Sequence, residues 1–309
     1  MYHLGALNSD HCPLLIDTNP NDSFSLRPFR FEAIWAKDPR CYNVIDEAWK
    51  NEFYESDGFI LCRKQFSTIT ALKKWNKETF GFCQSRIKEL STKLEQVQAS
   101  SVSEKNSLME ASIQREFNSW ISNNESLWKQ KSREVWLKEG DKNSKFFHLS
   151  TIIRRRRNAI DAIKGDDGVW ITNKAEIRNH IVSKFQSLYT FEPVSFPPDL
   201  DDLILPCITQ SENADLCLIP SPLEIKESLF GMQNLKSSGP DGLPALFYKQ
   251  YWPIVGNNVI KAVQNFFILG QRLSEVNQSL IVLIPKNQSP TNVNHFRPIS
   301  LCNTVYKII

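Results

Sequence analysis

The chain has 309 residues, of which 41% are hydrophobic and 23% charged, and its net charge is +3. This is globular composition with length for one large domain or two modest ones, and it excludes wholesale disorder. The longest clean apolar runs, such as 280–284, are far too short to cross a bilayer, and the first residues show no basic or apolar leader pattern, so neither a membrane anchor nor a secretory signal is expected.

Seven cysteines (12, 41, 62, 83, 207, 217 and 302) are scattered and form no C-x-x-C pair. A disulfide framework and a cysteine-rich zinc site are therefore not expected, and a reducing intracellular location, nuclear or cytoplasmic, is. Residues 1–16 read as a lone strand, apolar over 11–16. The stretch 18–25 has turn chemistry and reads as a linker. A long helical region opens with Phe31, Ile34 and Trp35 and continues through Ile69, Leu72 and Trp75. Ile87, Leu90, Leu94 and Val97 recur at spacings of three and four, and Ile113, Phe117, Trp120 and Ile121 form a second seam. The polar stretch 99–104 between them predicts an antiparallel helical hairpin over 69–128, structural by default.

Charge then becomes uneven. Residues 129–164 hold eleven Lys or Arg against four acids, a local +7, whereas 190–245 hold nine acids against two lysines, a local −7. Within the basic block, Lys142 and Lys145 stand among Trp136, Phe146 and Phe147, and Arg154, Arg155, Arg156 and Arg157 are consecutive. Cations meet phosphates and aromatics stack on bases, so the mixture suits nucleic acid. A helix end with buried aromatics and a solvated basic face has the same composition.

Next, Ile160, Ala162 and Ile163 precede Gly165-Asp166-Asp167-Gly168, and Val169, Trp170 and Ile171 follow, which predicts a β-hairpin. A helix with Ile177, Ile181, Phe185 and Leu188 inward comes after it. Residues 191–206 read as a loop. Ser221, Pro222 and Glu224 predict a helix start with a capping box, and Ile225, Leu229 and Met232 its buried stripe. A tight loop follows at Gly239-Pro240-Asp241-Gly242. A further helix spans 253–269 with Val259, Val263 and Phe266 inward and Gly270 as its stop. Strands at 278–284 and 297–301 close the chain and put Lys286 and Arg297 on one hairpin, where two cations suit a triphosphate. Ser9-Asp10-His11 adds an acid–imidazole pair before the first strand, a pairing that suits attack on phosphate.

These strings occur in an order that resembles the plant non-LTR retrotransposon (long interspersed element) polyprotein, in which an apurinic-type endonuclease precedes a reverse transcriptase. SDHCPLLI is similar to the last strand of the endonuclease/exonuclease/phosphatase domain. RPFRFEAIW and ALKKWNKETFG resemble the connector, and SREVWLKEGDKNSKFFH with RRRRNAI the segment before the polymerase. KSSGPDGLPALFYKQYW and LIPKNQSPTNVNHFRPISL resemble the opening of the reverse transcriptase fingers. The resemblance covers nearly the whole chain.

The resemblance implies a mainly α fold with small β parts. Residues 1–17 would be an endonuclease strand remnant, and 18–150 a helical connector. Residues 151–220 would hold the basic β-hairpin, helix and acidic loop, and 221–309 the incomplete fingers. It implies endonuclease roles for Asp10 and His11, triphosphate contacts for Lys286 and Arg297, and a template-facing loop at Gly239, Pro240, Asp241 and Gly242. The family activity is RNA-directed DNA polymerisation with Mg²⁺. The endonuclease core and the polymerase palm, which carry the metal-binding carboxylates, fall outside the matching strings. A fragment inactive by itself, with no cofactor of its own, is therefore expected. Two other readings stand beside it: a module that binds RNA or single-stranded DNA weakly and without sequence preference, and a helical scaffold for protein contacts.

Overall fold

The computed structural model describes residues 28–101, 103–133, 144–190, 207–270 and 276–309, together with a strand pair at 2–3 and 14–15. The described chain is mainly helical, with three two-stranded antiparallel pairs. Short polar side chains set the helix starts. Asp38 accepts from the Arg40 N–H and Pro39 leads α1 (Pro39–Trp49). Ser56 starts α2 (Asp57–Trp75), which a π-turn at Asn76–Phe80 ends. The helical region read as one run over 31–75 is thus broken at 50–56, and the polar Asn51 and Glu52 lie in that break.

The predicted hairpin is α3 (Cys83–Gln98) against α4 (Glu104–Ser132), joined by a polar turn whose Ser103 caps α4. Leu90 and Ile113 are buried in its seam, and Gln98 Nε2 donates to Glu110 Oε1 at 2.8 Å beside the turn. Toward its C-terminus α4 leaves the hairpin and joins the main body. There the Gln130 carboxamide accepts from the Ala33 N–H and donates to the Phe31 carbonyl, both at 2.9 Å.

That body has one core. Phe31, Trp35, Ile45, Leu61, Leu72 and Trp75 pack with Ile225, Leu229, Phe247, Tyr248, Tyr251, Val255, Val259 and Val305. Phe31 lies edge-on to Trp35, Phe247 and Tyr251, with ring centroids 5.4, 5.5 and 6.2 Å away. Residues read as connector and residues read as fingers therefore bury the same apolar surface. The C-terminal contributors are α8 (Pro222–Gly231), α9 (Ala245–Gln250), which the periodicity did not reveal, and α10 (Trp252–Leu269). Gly270 stops α10 at φ +58°. Ser221 accepts from the Glu224 N–H, but the reciprocal capping box belongs to Thr209 and Glu212 at the start of α7 (Gln210–Leu216).

A second, smaller core joins three pieces. Strands β3 (Ile163–Lys164) and β4 (Trp170–Ile171) pair around the predicted Gly/Asp turn, with Ile163 opposite Ile171. Helix α6 (Lys174–Tyr189) follows, started by Asn173. Its Ile177 packs with Ile163, Val293 and Phe296 of the hairpin formed by β5 (Ser279–Pro285) and β6 (Phe296–Cys302). A main-chain bond from the Lys164 N–H to the Thr291 carbonyl, 2.7 Å, ties the two hairpins. Leu188, expected inward, is 67% exposed and stands outside this small core. At the other terminus β2 (Leu14–Leu15) pairs with β1 (Tyr2–His3) and is not a lone strand.

Candidate functional site

Docking α6 on the β5–β6 hairpin leaves a cleft between them of about 480 Å³. Lys184, Phe185 and Leu188 line it from α6, and Lys286, Phe296 and Pro298 from the hairpin. A smaller lobe of about 210 Å³ shares Lys184, Val293 and Asn294 with it and adds Lys164, Gly165, Asp166, His180 and Asn292, so it holds a carboxylate as well as cations. The cleft therefore combines three lysines with aromatic and apolar walls. Lys286 is held there by its Nζ donating to the Asn294 carbonyl at 2.7 Å and by its N–H donating to the His295 carbonyl at 2.8 Å. Lys184 pairs with Asp166 at 3.0 Å, and both side chains are exposed to solvent, which screens the pair. The Asn292 carboxamide oxygen is buried and has no hydrogen-bond partner, so the smaller lobe carries an acceptor without a donor.

Arg297 does not share this cleft. It stands opposite Ile284, between Phe296 and Pro298, which both line it, so the pleat turns Arg297 to the other face. Lys184 lines the cleft with Lys286, Lys164 and His180 line the lobe beside it, and no local pattern in the sequence marked these three.

The loop Gly239-Pro240-Asp241-Gly242 is locked into the body. The Phe31 N–H donates to the Gly242 carbonyl at 3.0 Å, so the chain at 28–31 runs alongside it. The Asn303 carboxamide accepts from the Asp241 N–H at 3.2 Å and donates to the Val276 carbonyl at 3.2 Å. Arg30 Nη1 donates to the Gly239 carbonyl at 2.9 Å. A Cβ on Gly242 would lie 2.2 Å from the Phe29 carbonyl oxygen, and one on Gly239 2.4 Å from the Asn303 nitrogen. The close approach that both glycines permit is made here to the protein's own backbone. Pro240 is exposed. The Asp241 side chain turns inward, where Leu243 N–H donates to it at 3.1 Å and the Tyr248 hydroxyl faces it at 3.5 Å. Burial pushes its carboxyl up to about 6, against the opposing pull of these hydrogen bonds and of Arg30.

The basic run ends α5 (Ser144–Arg157). Arg154 is turned inward and donates to the Lys131 carbonyl at 2.5 Å and to the Ser132 carbonyl at the end of α4. Arg155 and Arg157 are exposed and Arg156 is half-buried. Phe147 is buried, so it is packing and not a stacking platform. Lys145 lies on α5, and nothing of its side chain is described; Lys142, Trp136, Asp10 and His11 lie outside the described residues. Burial raises the Cys41 and Cys83 thiols to about 11, which removes them as nucleophiles.

Among the described residues no group of three His, Cys, Asp or Glu is gathered in a way that could hold a metal ion. No described helix is long and apolar enough to cross a membrane.

No protein-family model matches the chain. It is similar to the transposon TX1 uncharacterized 149 kDa protein of Xenopus laevis, with 26% identity over 181 residues, 58% of this chain. The aligned stretch spans 14% of the length of that protein.

Proposed function

We propose that this chain is a retrotransposon-derived, reverse transcriptase-like segment whose task is to hold a nucleic-acid strand. The observation that carries the reading is the cleft between α6 and the β5–β6 hairpin, which Lys184 and Lys286 line, with Lys164 in the lobe beside it. Lysines neutralise phosphates without reading sequence, which suits a strand of any base order. Similarity to a transposon protein supports the same origin.

In this reading β5 and β6 are the finger hairpin, and the loop 239–242 stands where the fingers face the template. The loop's glycines serve that position indirectly, by letting it pack tightly against 28–31 and 303. The chain contributes contacts to the strand. Metal-binding carboxylates for polymerisation are not gathered among its described residues, so the chain by itself is expected to extend no primer.

The test is binding of a fluorescein-labelled oligouridine, followed by anisotropy at low salt. Lys184→Gln with Lys286→Gln removes two phosphate contacts and should weaken binding about tenfold, by a similar factor for oligouridine and oligodeoxythymidine. Both side chains reach solvent, so the melting temperature should stay within a few degrees. Unchanged affinity in a folded double variant would remove the cleft as the binding surface.

A further inference from the structure

The turn Gly165-Asp166-Asp167-Gly168 carries two neighbouring acids that face different ways. Asp167 serves the turn itself. Its carboxylate accepts from the Val169 N–H at 3.0 Å, and Gly165 leaves it room, since a Cβ there would lie 2.7 Å from Asp167 Oδ1. The Gly168 N–H closes the turn on the Gly165 carbonyl at 3.0 Å. Asp166 instead reaches across to α6, where Lys184 Nζ donates to its Oδ1 at 3.0 Å. His180 stands one helical turn before Lys184 on α6 and lines the same lobe. The hydrogen bond and charge of Lys184, with a smaller pull from His180, hold the Asp166 carboxyl below its ordinary value, so it is an anion at neutral pH.

The place of this pair gives it a consequence. Lys184 lines both the cleft and the lobe, and Asp166 lines the lobe. The three lysines are held in three ways. Lys286 Nζ rests on the Asn294 carbonyl, Lys164 Nζ lies 5.3 Å from the centre of the Trp170 ring, and Lys184 Nζ is paired with a carboxylate. A carboxylate offers a lysine what a phosphate offers: negative charge and acceptor oxygens. The bond from the Lys164 N–H to the Thr291 carbonyl fixes the β3–β4 hairpin beside the cleft, so Asp166 is presented to Lys184 at high local concentration. Both side chains are exposed, and an exposed pair adds little to folding and is open to exchange. Its effect falls on whatever else Lys184 meets.

We propose that Asp166 is a built-in competitor for the phosphates of the strand: it occupies Lys184 until a phosphate displaces it, and it then repels that phosphate from the wall of the lobe. The proposal rests on the nucleic-acid reading above and adds the regulation of that cleft. Asp166 keeps the hold on the strand loose, and Asp167, with the same charge one residue away, does not.

The experiment measures binding of fluorescein-labelled oligouridine to the full chain across a salt series. Asp166→Asn should bind about threefold more tightly than the wild type at low salt, since the variant has no pair to break. The gain should shrink as salt rises, because salt already screens the wild-type pair. The melting temperature should stay close to that of the wild type. Asp167→Asn removes the same charge and keeps an oxygen for the Val169 N–H, so it should gain less. Equal gains in the two variants would mean that only overall charge matters and would overturn the proposal. In a Lys184→Gln background, Asp166→Asn should bring little further gain; a full gain there overturns it too. If Lys184→Gln with Lys286→Gln loses affinity while Asp166→Asn binds as the wild type does, this inference fails and the nucleic-acid reading stands. If neither the wild type nor Asp166→Asn binds at low salt, both fall.

Discussion

Gly242→Ala should lower the unfolding free energy by about 3 kcal/mol, with no nucleic acid present. Two costs combine. The residue sits at φ +74°, where a side chain costs about 1–2 kcal/mol. Its new methyl would also meet the Phe29 carbonyl oxygen at 2.2 Å, and that oxygen belongs to a backbone segment pinned by the Phe31–Gly242 hydrogen bond. Relieving such an overlap costs another 1–3 kcal/mol or so. Gly168→Ala is the control: its φ is +79°, yet nothing lies within 4 Å of the added methyl, so only the conformational cost of about 1 kcal/mol applies. Pro240, exposed between the two packed glycines, should tolerate alanine with little effect on stability. Urea unfolding of the three variants measures this. If Gly242→Ala unfolds with the wild type and loses only strand binding, the glycine serves a ligand and not the fold.

Asp241 should make the protein less stable as pH rises from about 4 to about 6. The folded carboxyl titrates near 6, above its ordinary 3.8, because burial disfavours its charged form. The folded state therefore holds this proton more tightly than the unfolded state does. Stability from this group is greatest below about pH 4, declines as pH climbs through the folded value, and is flat above it. The shift corresponds to about 3 kcal/mol between those limits. Asp241→Asn retains an oxygen to accept from the Leu243 N–H and cannot ionise. Its unfolding free energy should match the wild type near pH 4 and exceed it at pH 7. Parallel curves for the two proteins across pH 4–7 would show that Asp241 is not desolvated.

Features fixed by neighbouring residues could be read from the sequence. Ser221 and Pro222 start a helix wherever the rest of the chain goes, the turn at 165–168 closes its hairpin locally, and Gly270 ends α10 by its own backbone freedom. The seams of α3 and α4 were legible because each helix is the other's partner. Features set by packing between distant segments were not. Leu188 fits the helical period of α6, but period carries no information about which turns of the helix the distant hairpin packs closely against. Arg154 looked like its three neighbours until the end of α4 claimed it. The cleft was half legible: Lys286 stood in a recognisable string, while Lys184 and His180 reach it only because Ile177 docks on Val293 and Phe296. The glycines at 239 and 242 announced close approach without saying to what, and the answer, Asn303 for Gly239 and Phe29 for Gly242, lies far away in the chain.

The central claim is that this chain holds single-stranded nucleic acid mainly through phosphate contacts. It is tested most directly by the salt dependence of oligouridine binding to the unmodified 309-residue chain. Plotted as the logarithm of affinity against the logarithm of salt, the points should fall on a line of slope roughly −3, about four phosphates at 0.7 each. Affinity should then drop about sixtyfold between about 50 and 200 mM salt, alike for homopolymers of different base. A flat line, or tight binding that selects one sequence and ignores salt, would contradict the account.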